Sequence, residues 1–274
     1  MNEAKIKKIM VITGCAAAVV ICLLPFIYMA VISLLDTDKL FSGTGVYVTF
    51  SNYINVISGE NLHFPEYLKN SILISLLSSF FTVLIAALAA YAVARLNIAG
   101  KTLILLAVLC LSLFPQISIA GYIFKILSAI GLINTYSGLI FPYIAWSLPL
   151  CLWILTSYFM SVPKALDDAA GVDGANSLQI LLYVILPVAI PGIVTSFLIT
   201  FIFTLNEFLF ALMFTMDHTA RTVPVAIALF TGLHGELPWG DIMAAAAITT
   251  APVIVIAAVF QKKIISGLTK GAVK

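Results

Sequence analysis

Charge is what this chain has least of. Only 9% of its 274 residues are Asp, Glu, Lys or Arg, against 62% hydrophobic, whereas a soluble domain carries roughly 25% charged residues. Water is thereby excluded as the main solvent of the fold. Cysteine is scarce as well. Cys15, Cys22, Cys110 and Cys151 all fall inside apolar runs, which excludes a disulfide framework and leaves them as small packing residues. The histidines His63, His218 and His234 are scattered without ligand spacing, so no metal site is expected. No cluster of nucleophile, acid and base falls near one membrane interface, so the chain is not expected to be an enzyme. Gly100-Lys101-Thr102 lacks the earlier glycine of a phosphate-cradling loop, because Arg95 stands there. An ATP site within this chain is therefore not expected either.

What the chain does have is apolar length. Six runs, residues 9–35, 71–94, 102–124, 136–160, 186–215 and 242–260, reach or approach the ~20 residues that cross a bilayer as a helix. The alternating segments of about ten residues that mark a membrane barrel are lacking. The expected fold class is all-α integral membrane, with six transmembrane helices in a single domain, 1–274. The first run exceeds a secretory h-region of ~7–15 residues and reads as a retained span. With both termini cytoplasmic, ten Lys and Arg lie inside and four (Lys39, Lys69, Lys125 and Arg221) lie outside, as the positive-inside bias requires. Loops 36–69 and 216–241 then face outward. The first reads as an ordered cap, and the second is apolar enough over 223–230 to lie on the interface or re-enter.

Between the fourth and fifth runs comes a polar stretch with an unusual pattern. It reads Asp168-Ala169-Ala170, three residues ending in Asp173, then Gly174, nine residues, and Val184-Ile185-Leu186-Pro187. An ordinary solvated turn accounts for Asp168, Asp173 and Gly174 but not for the trailing apolar group and proline. The pattern resembles the "EAA" signature of ABC importer permeases, with Asp168 at the usual Glu and Val184 at the usual Ile. Asn70-Ser71, Ala90-Tyr91-Ala92-Val93-Ala94-Arg95, Asn206-Glu207-Phe208 and the tail from Phe260 to Lys274 are similar to the second permease subunit of maltose-type carbohydrate importers. The likeness covers residues from about 50 to the end, and the first span matches only in being hydrophobic. Leu205 departs from it, where that branch commonly has tryptophan.

The resemblance implies a type I ABC importer permease fold in a bacterial or archaeal cytoplasmic (inner) membrane. It implies a cytoplasmic coupling helix within 161–185, with Asp168, Ala169, Ala170, Asp173, Gly174, Leu186 and Pro187 as the coupling residues. The implied partners are a second homologous permease, two ATPase subunits that hold the ATP and Mg, an extracytoplasmic sugar-binding protein and membrane lipid. No cofactor is implied in this chain, and no nucleic acid. The implied function is ATP-driven import, by alternating access, of a neutral di- or oligosaccharide such as trehalose or maltose.

Glu207 is the one acid well inside a span, where burial costs a few kcal/mol even on lenient insertion scales. At helical spacing Thr204, Phe203 and Thr200 share its face, with Asn206 about a quarter-turn away. Such a stripe could line a pathway for a hydroxyl-bearing solute. Alternatively Glu207 binds another helix and the hydroxyls satisfy their own i−4 carbonyls. Among the aromatic residues, Phe203 and Phe210 are best placed to stack on a sugar ring. No Lys or Arg lies within a span, so an anionic solute lacks a charge partner here. A permease for a polyol or glycerol phosphate is the alternative. An ion-coupled secondary transporter would show inverted repeats and coupled carboxylates, and only one carboxylate is present.

Overall fold

The computed structural model describes residues 3–59, 62–230 and 237–272, with side chains over 7–37, 39–59, 62–230 and 237–261. Gly232, His234 and Gly235, and the tail side chains from Lys262 onward, lie outside the described residues. The described chain is helical: α1 (Glu3–Ser33), α2 (Thr37–Phe41), α3 (Ser51–Ser58), α4 (Phe64–Arg95), α5 (Lys101–Ser112), α6 (Gln116–Ala129), α7 (Tyr136–Ser161), α8 (Ala165–Val172), α9 (Ser177–Ile180), α10 (Leu186–Val188), α11 (Ile190–Leu205), α12 (Leu209–Phe214), α13 (Val223–Ala228) and α14 (Trp239–Ala272). A π-helical turn, Leu181–Ile185, joins α9 to α10.

Among the described residues, four helices, α1, α4, α7 and α14, are long and apolar enough to cross a membrane unaided, or up to six if each of two bent pairs counts as one span. The run 102–124 is not straight: α5 and α6 meet at 86°. Pro115 stands in the corner in extended conformation, at ψ 123°. Its ring drives Phe114 away from helical angles, and it has no N–H to continue the ladder. The run 186–215 is in three pieces. The helix through Ser177–Val188 turns by 81° into α11, which carries Pro191 in its first turn, where a missing N–H costs least. A second break at Asn206–Phe208 separates α11 from α12. The helix therefore continues across 185, the expected end of the coupling segment, and breaks at Ala189. Pro187 cannot bond the carbonyl one turn back, and the π turn directly before it loosens the backbone there.

The chain divides into two compact units, Met1–Pro65 with Ala226–Pro252, and Glu66–Val225 with Val253–Lys274. Within the first unit, α1 is exposed along almost the whole of its length from Lys7 onward. The stretch that follows it is tied back to the end of that helix. The buried Asn52 of α3 donates to the carbonyls of Ser33 and Leu35, both at 2.9 Å, and Leu35 pairs with Val48.

Within the second unit, one core cluster gathers Ala90, Leu155, Phe159 and Ile185 from α4, α7 and the π turn. Another gathers Ile74, Leu139, Tyr143, Phe210 and Phe214. The hydroxyls of Thr82 and Ser147 meet at 3.0 Å between α4 and α7. Near the start of α4, the buried Asn70 amide donates to the carbonyls of His218 (2.9 Å) and Arg221 (3.0 Å). Ser71 Oγ accepts from Val223 N at 2.8 Å. The turn so held also closes on itself. Asp217 Oδ1 accepts from Asn134 Nδ2 and Thr219 N, both at 2.9 Å, and from Thr219 Oγ1 at 2.6 Å. These bonds, Asn134's first, hold the exposed Asp217 carboxyl well below the usual carboxylate range.

Candidate functional site

Glu207 sits in the break between α11 and α12, where the chain would otherwise leave backbone donors unpaired in an apolar setting. Its side chain supplies the acceptors. Oε1 accepts from Phe210 N and from Gln116 Nε2, both at 2.9 Å, and Oε2 accepts from Ala211 N at 3.1 Å. The carboxylate thus caps α12 and ties that break to the corner of the other bent pair, since Gln116 opens α6. Three charge-assisted bonds compensate a carboxylate that is only 8% exposed and has no cation beside it among the described residues. A carboxylate has about four acceptor positions, and these bonds use three of them.

Beside it lies an open cleft of about 470 Å³ lined by Gln116, Ile202, Phe203, Asn206, Glu207, Phe208 and Leu209. Of the residues expected to line a pathway, Glu207, Asn206 and Phe203 are brought together here. Asn206 is exposed, with one amide donor given to Ile202 O at 2.8 Å. Thr200 lines a neighbouring cavity of about 220 Å³ with Ser112, Trp146, Ser147, Leu150 and Phe203, so Phe203 borders both spaces. Thr204 lines neither. Its hydroxyl donates back to Thr200 O at 2.9 Å inside the core, the local bond that Ser and Thr favour in membrane helices.

Phe210 is also not where spacing put it. It is buried, stacked on Phe214 at 5.3 Å and edge-on to Trp146 at 5.9 Å. The break at 206–208 resets the helical phase, so residues beyond it do not keep the face counted from α11. Phe208, 40% exposed, takes the cleft position instead. Gln116 and Trp146 were not among the expected residues. The signal for Gln116 was a lone amide directly after a proline inside an apolar run.

The segment 161–185 carries the second site. α8 has no buried residue, and Val172 at its end is 88% exposed. Asp168 and Ala169 are exposed, Ala170 is half-buried, and Asp173 and Gly174 are exposed. The spacing from Ala170 to Gly174 has a backbone cause. Ala175 N donates to Ala170 O at 3.0 Å and Gly174 N to Gly171 O at 3.1 Å, the paired closure that ends a helix on a left-handed residue. Gly174 supplies that residue, at φ +84°. Next, Asn176 and Gln179 cap α9 reciprocally, at 2.8 and 2.9 Å. The segment is therefore a short helix, a sharp reversal and a capped restart. Leu186 is half-buried on the core and Pro187 is exposed beyond the π turn. Asp167, which the pattern did not single out, forms an ion pair with Arg95 at 2.8 Å.

A family model described as the binding-protein-dependent transport system inner membrane component matches residues 71–270. The chain belongs to that family. This permease is 52% identical over 277 aligned positions to the trehalose/maltose transport system permease protein MalG of Thermococcus litoralis, covering 100% of this chain and 99% of that protein. It is 44% identical to the trehalose transport system permease protein SugB of Mycobacterium tuberculosis, over 92% of each chain. Among solved structures, the permease fold matches a chain of a bacterial ABC transporter involved in the import of the acidic polysaccharide alginate. That match has a TM-score of 0.79 at 20% identity and covers 96% and 98% of the two chains. The expected all-α membrane permease fold is therefore the fold found.

Proposed function

We propose that this permease is one of two membrane subunits of an importer for a neutral disaccharide of the trehalose and maltose class. A pair of ATPase subunits drives it, and an extracytoplasmic binding protein delivers the sugar. The observation that carries this reading is the full-length identity to a trehalose/maltose permease. The cleft supports it chemically. Its lining presents a carboxylate, two amides and two exposed phenyl rings, which suits a solute that is all hydroxyls and flat C–H faces. It offers no cation, and Glu207 would repel a phosphate ester or another anion. That argues against glycerol phosphate in this half. Both termini and α8 face the cytoplasm in this reading, as the ten-to-four distribution of basic residues supports.

α8 is the docking element. An eight-residue helix with no buried residue contributes little to this chain's own stability, and its open faces suit a groove on the ATPase. ATP-driven closure of the ATPase pair would bias the membrane subunits between two access states, while Glu207, Gln116, Asn206 and Phe203 offer weak contacts to the passing sugar. The test is uptake by the reconstituted complex. Labelled trehalose and maltose should enter in an ATP-dependent manner, unlabelled trehalose should compete, and glycerol phosphate should not. Uptake of the phosphate ester with exclusion of both disaccharides would reject the assignment.

A further inference from the structure

A helix with no buried residue cannot pass a displacement on by packing, so α8 needs a stiffer connection to the membrane helices. Arg95, the last residue of α4, provides one. Its Nε lies 2.8 Å from Asp167 Oδ2, with the two side chains only 6% and 17% exposed, and its terminal nitrogen donates to Val162 O at 2.8 Å. One guanidinium therefore holds both the end of α7 and the first turn of α8. The coupling segment is thus fastened to α4 at the first turn of α8.

The far end of the same helix is fastened too, through Asn70 and Ser71, to the turn at residues 216–223. Between these ends α4 has no internal proline, whereas α7 and α14 contain prolines and the other two spans in this region are bent. Its 32 residues make a rod of roughly 48 Å at 1.5 Å per residue.

We propose that Arg95 is the positioning residue that transmits movement of the coupling segment into α4, and that α4 carries it to the turn held by Asn70. This rests on the reading of α8 as the ATPase-docking helix. The chemistry suits the task. A buried guanidinium held by two different partners resists displacement, because losing the carboxylate strands a desolvated charge. A hydrophobic contact in the same place would slide.

The experiment uses the whole reconstituted complex and compares Arg95→Gln, Asp167→Asn, the double variant, Arg95→Lys and Gly174→Val. The readouts are ATPase-subunit retention, ATP hydrolysis, and sugar moved per ATP hydrolysed. Arg95→Gln should retain the ATPase subunits and hydrolyse ATP, yet move about tenfold less sugar per ATP, within the usual range of coupling energies. Asp167→Asn should do the same, and the double variant should be no worse than either single one. Arg95→Lys, which keeps the charge at the expense of the fork, should recover part of the loss. A melting temperature that drops without a change in sugar per ATP would show a merely structural pair and overturn the proposal. So would loss of ATPase retention in Arg95→Gln, or additive effects in the double variant. Failure of the docking reading looks different: Gly174→Val would then keep both retention and uptake. Asn70→Ala tests the far end, and should lower the stimulation of ATP hydrolysis by sugar-loaded binding protein while leaving hydrolysis without it unchanged. Unchanged stimulation would remove α4 as the carrier.

Discussion

Glu207 shows how one side chain can serve two ends. Its carboxylate was expected to face a solute or another helix, and the structure gives it a helix on each side, with the cleft as a third neighbour. Removing it should therefore do more than weaken a sugar contact. Glu207→Ala leaves Phe210 N, Ala211 N and the Gln116 amide without their acceptors, and each buried unsatisfied group costs about 1–3 kcal/mol. The complex should melt at lower temperature and lose uptake together. Glu207→Gln keeps one oxygen for Phe210 N and Gln116 but turns an amide donor toward the Ala211 donor. It should fall between wild type and Ala in both measurements. Lost uptake at unchanged melting temperature would instead assign Glu207 to the pathway alone.

Among the elements, the apolar runs could be read from residue type alone, because length and hydrophobicity decide which segments enter a bilayer. Their interruptions could not. Pro115, Pro187 and Pro191 were visible, yet a uniformly apolar run has no polar face whose drift would reveal a bend. Whether a helix kinks or ends depends on what pairs with the freed backbone groups: a donor for the carbonyl that a proline strands, an acceptor for the N–H groups that a break exposes. At 206–208 that acceptor is Glu207 itself, and the resulting phase change is why Phe210 left the cleft and Phe208 entered it. Gln116 was missed for the same reason, since its partner is 91 residues away. The segment 161–185 was singled out by its resemblance to a family signature, and one part of that signature, the spacing from Ala170 to Gly174, follows a local backbone rule. That rule makes a prediction. Nothing lies within 4 Å of a Cβ at Gly174, so Gly174→Ala adds no collision and only the left-handed strain, about 1–2 kcal/mol. It should weaken ATPase retention nearly as much as Gly174→Val. A defect confined to Val would point to crowding by the docked partner instead.

For the whole molecule, the turn around Asp217 decides how acid bears on the anchorage of α4. A carboxyl whose folded pKa is depressed contributes stability above its unfolded value, about 3.9, and that contribution is lost only as pH falls through the lower folded value. The anchorage of α4 to this turn should therefore persist through any medium down to about pH 4. Asp217→Asn, which has no such titration, should match wild-type uptake in relative acid profile over that range; an acid limb abolished by this substitution would contradict the argument. An acid limb in uptake above that pH would therefore have to arise in some group other than the Asp217 carboxylate and its three bonds.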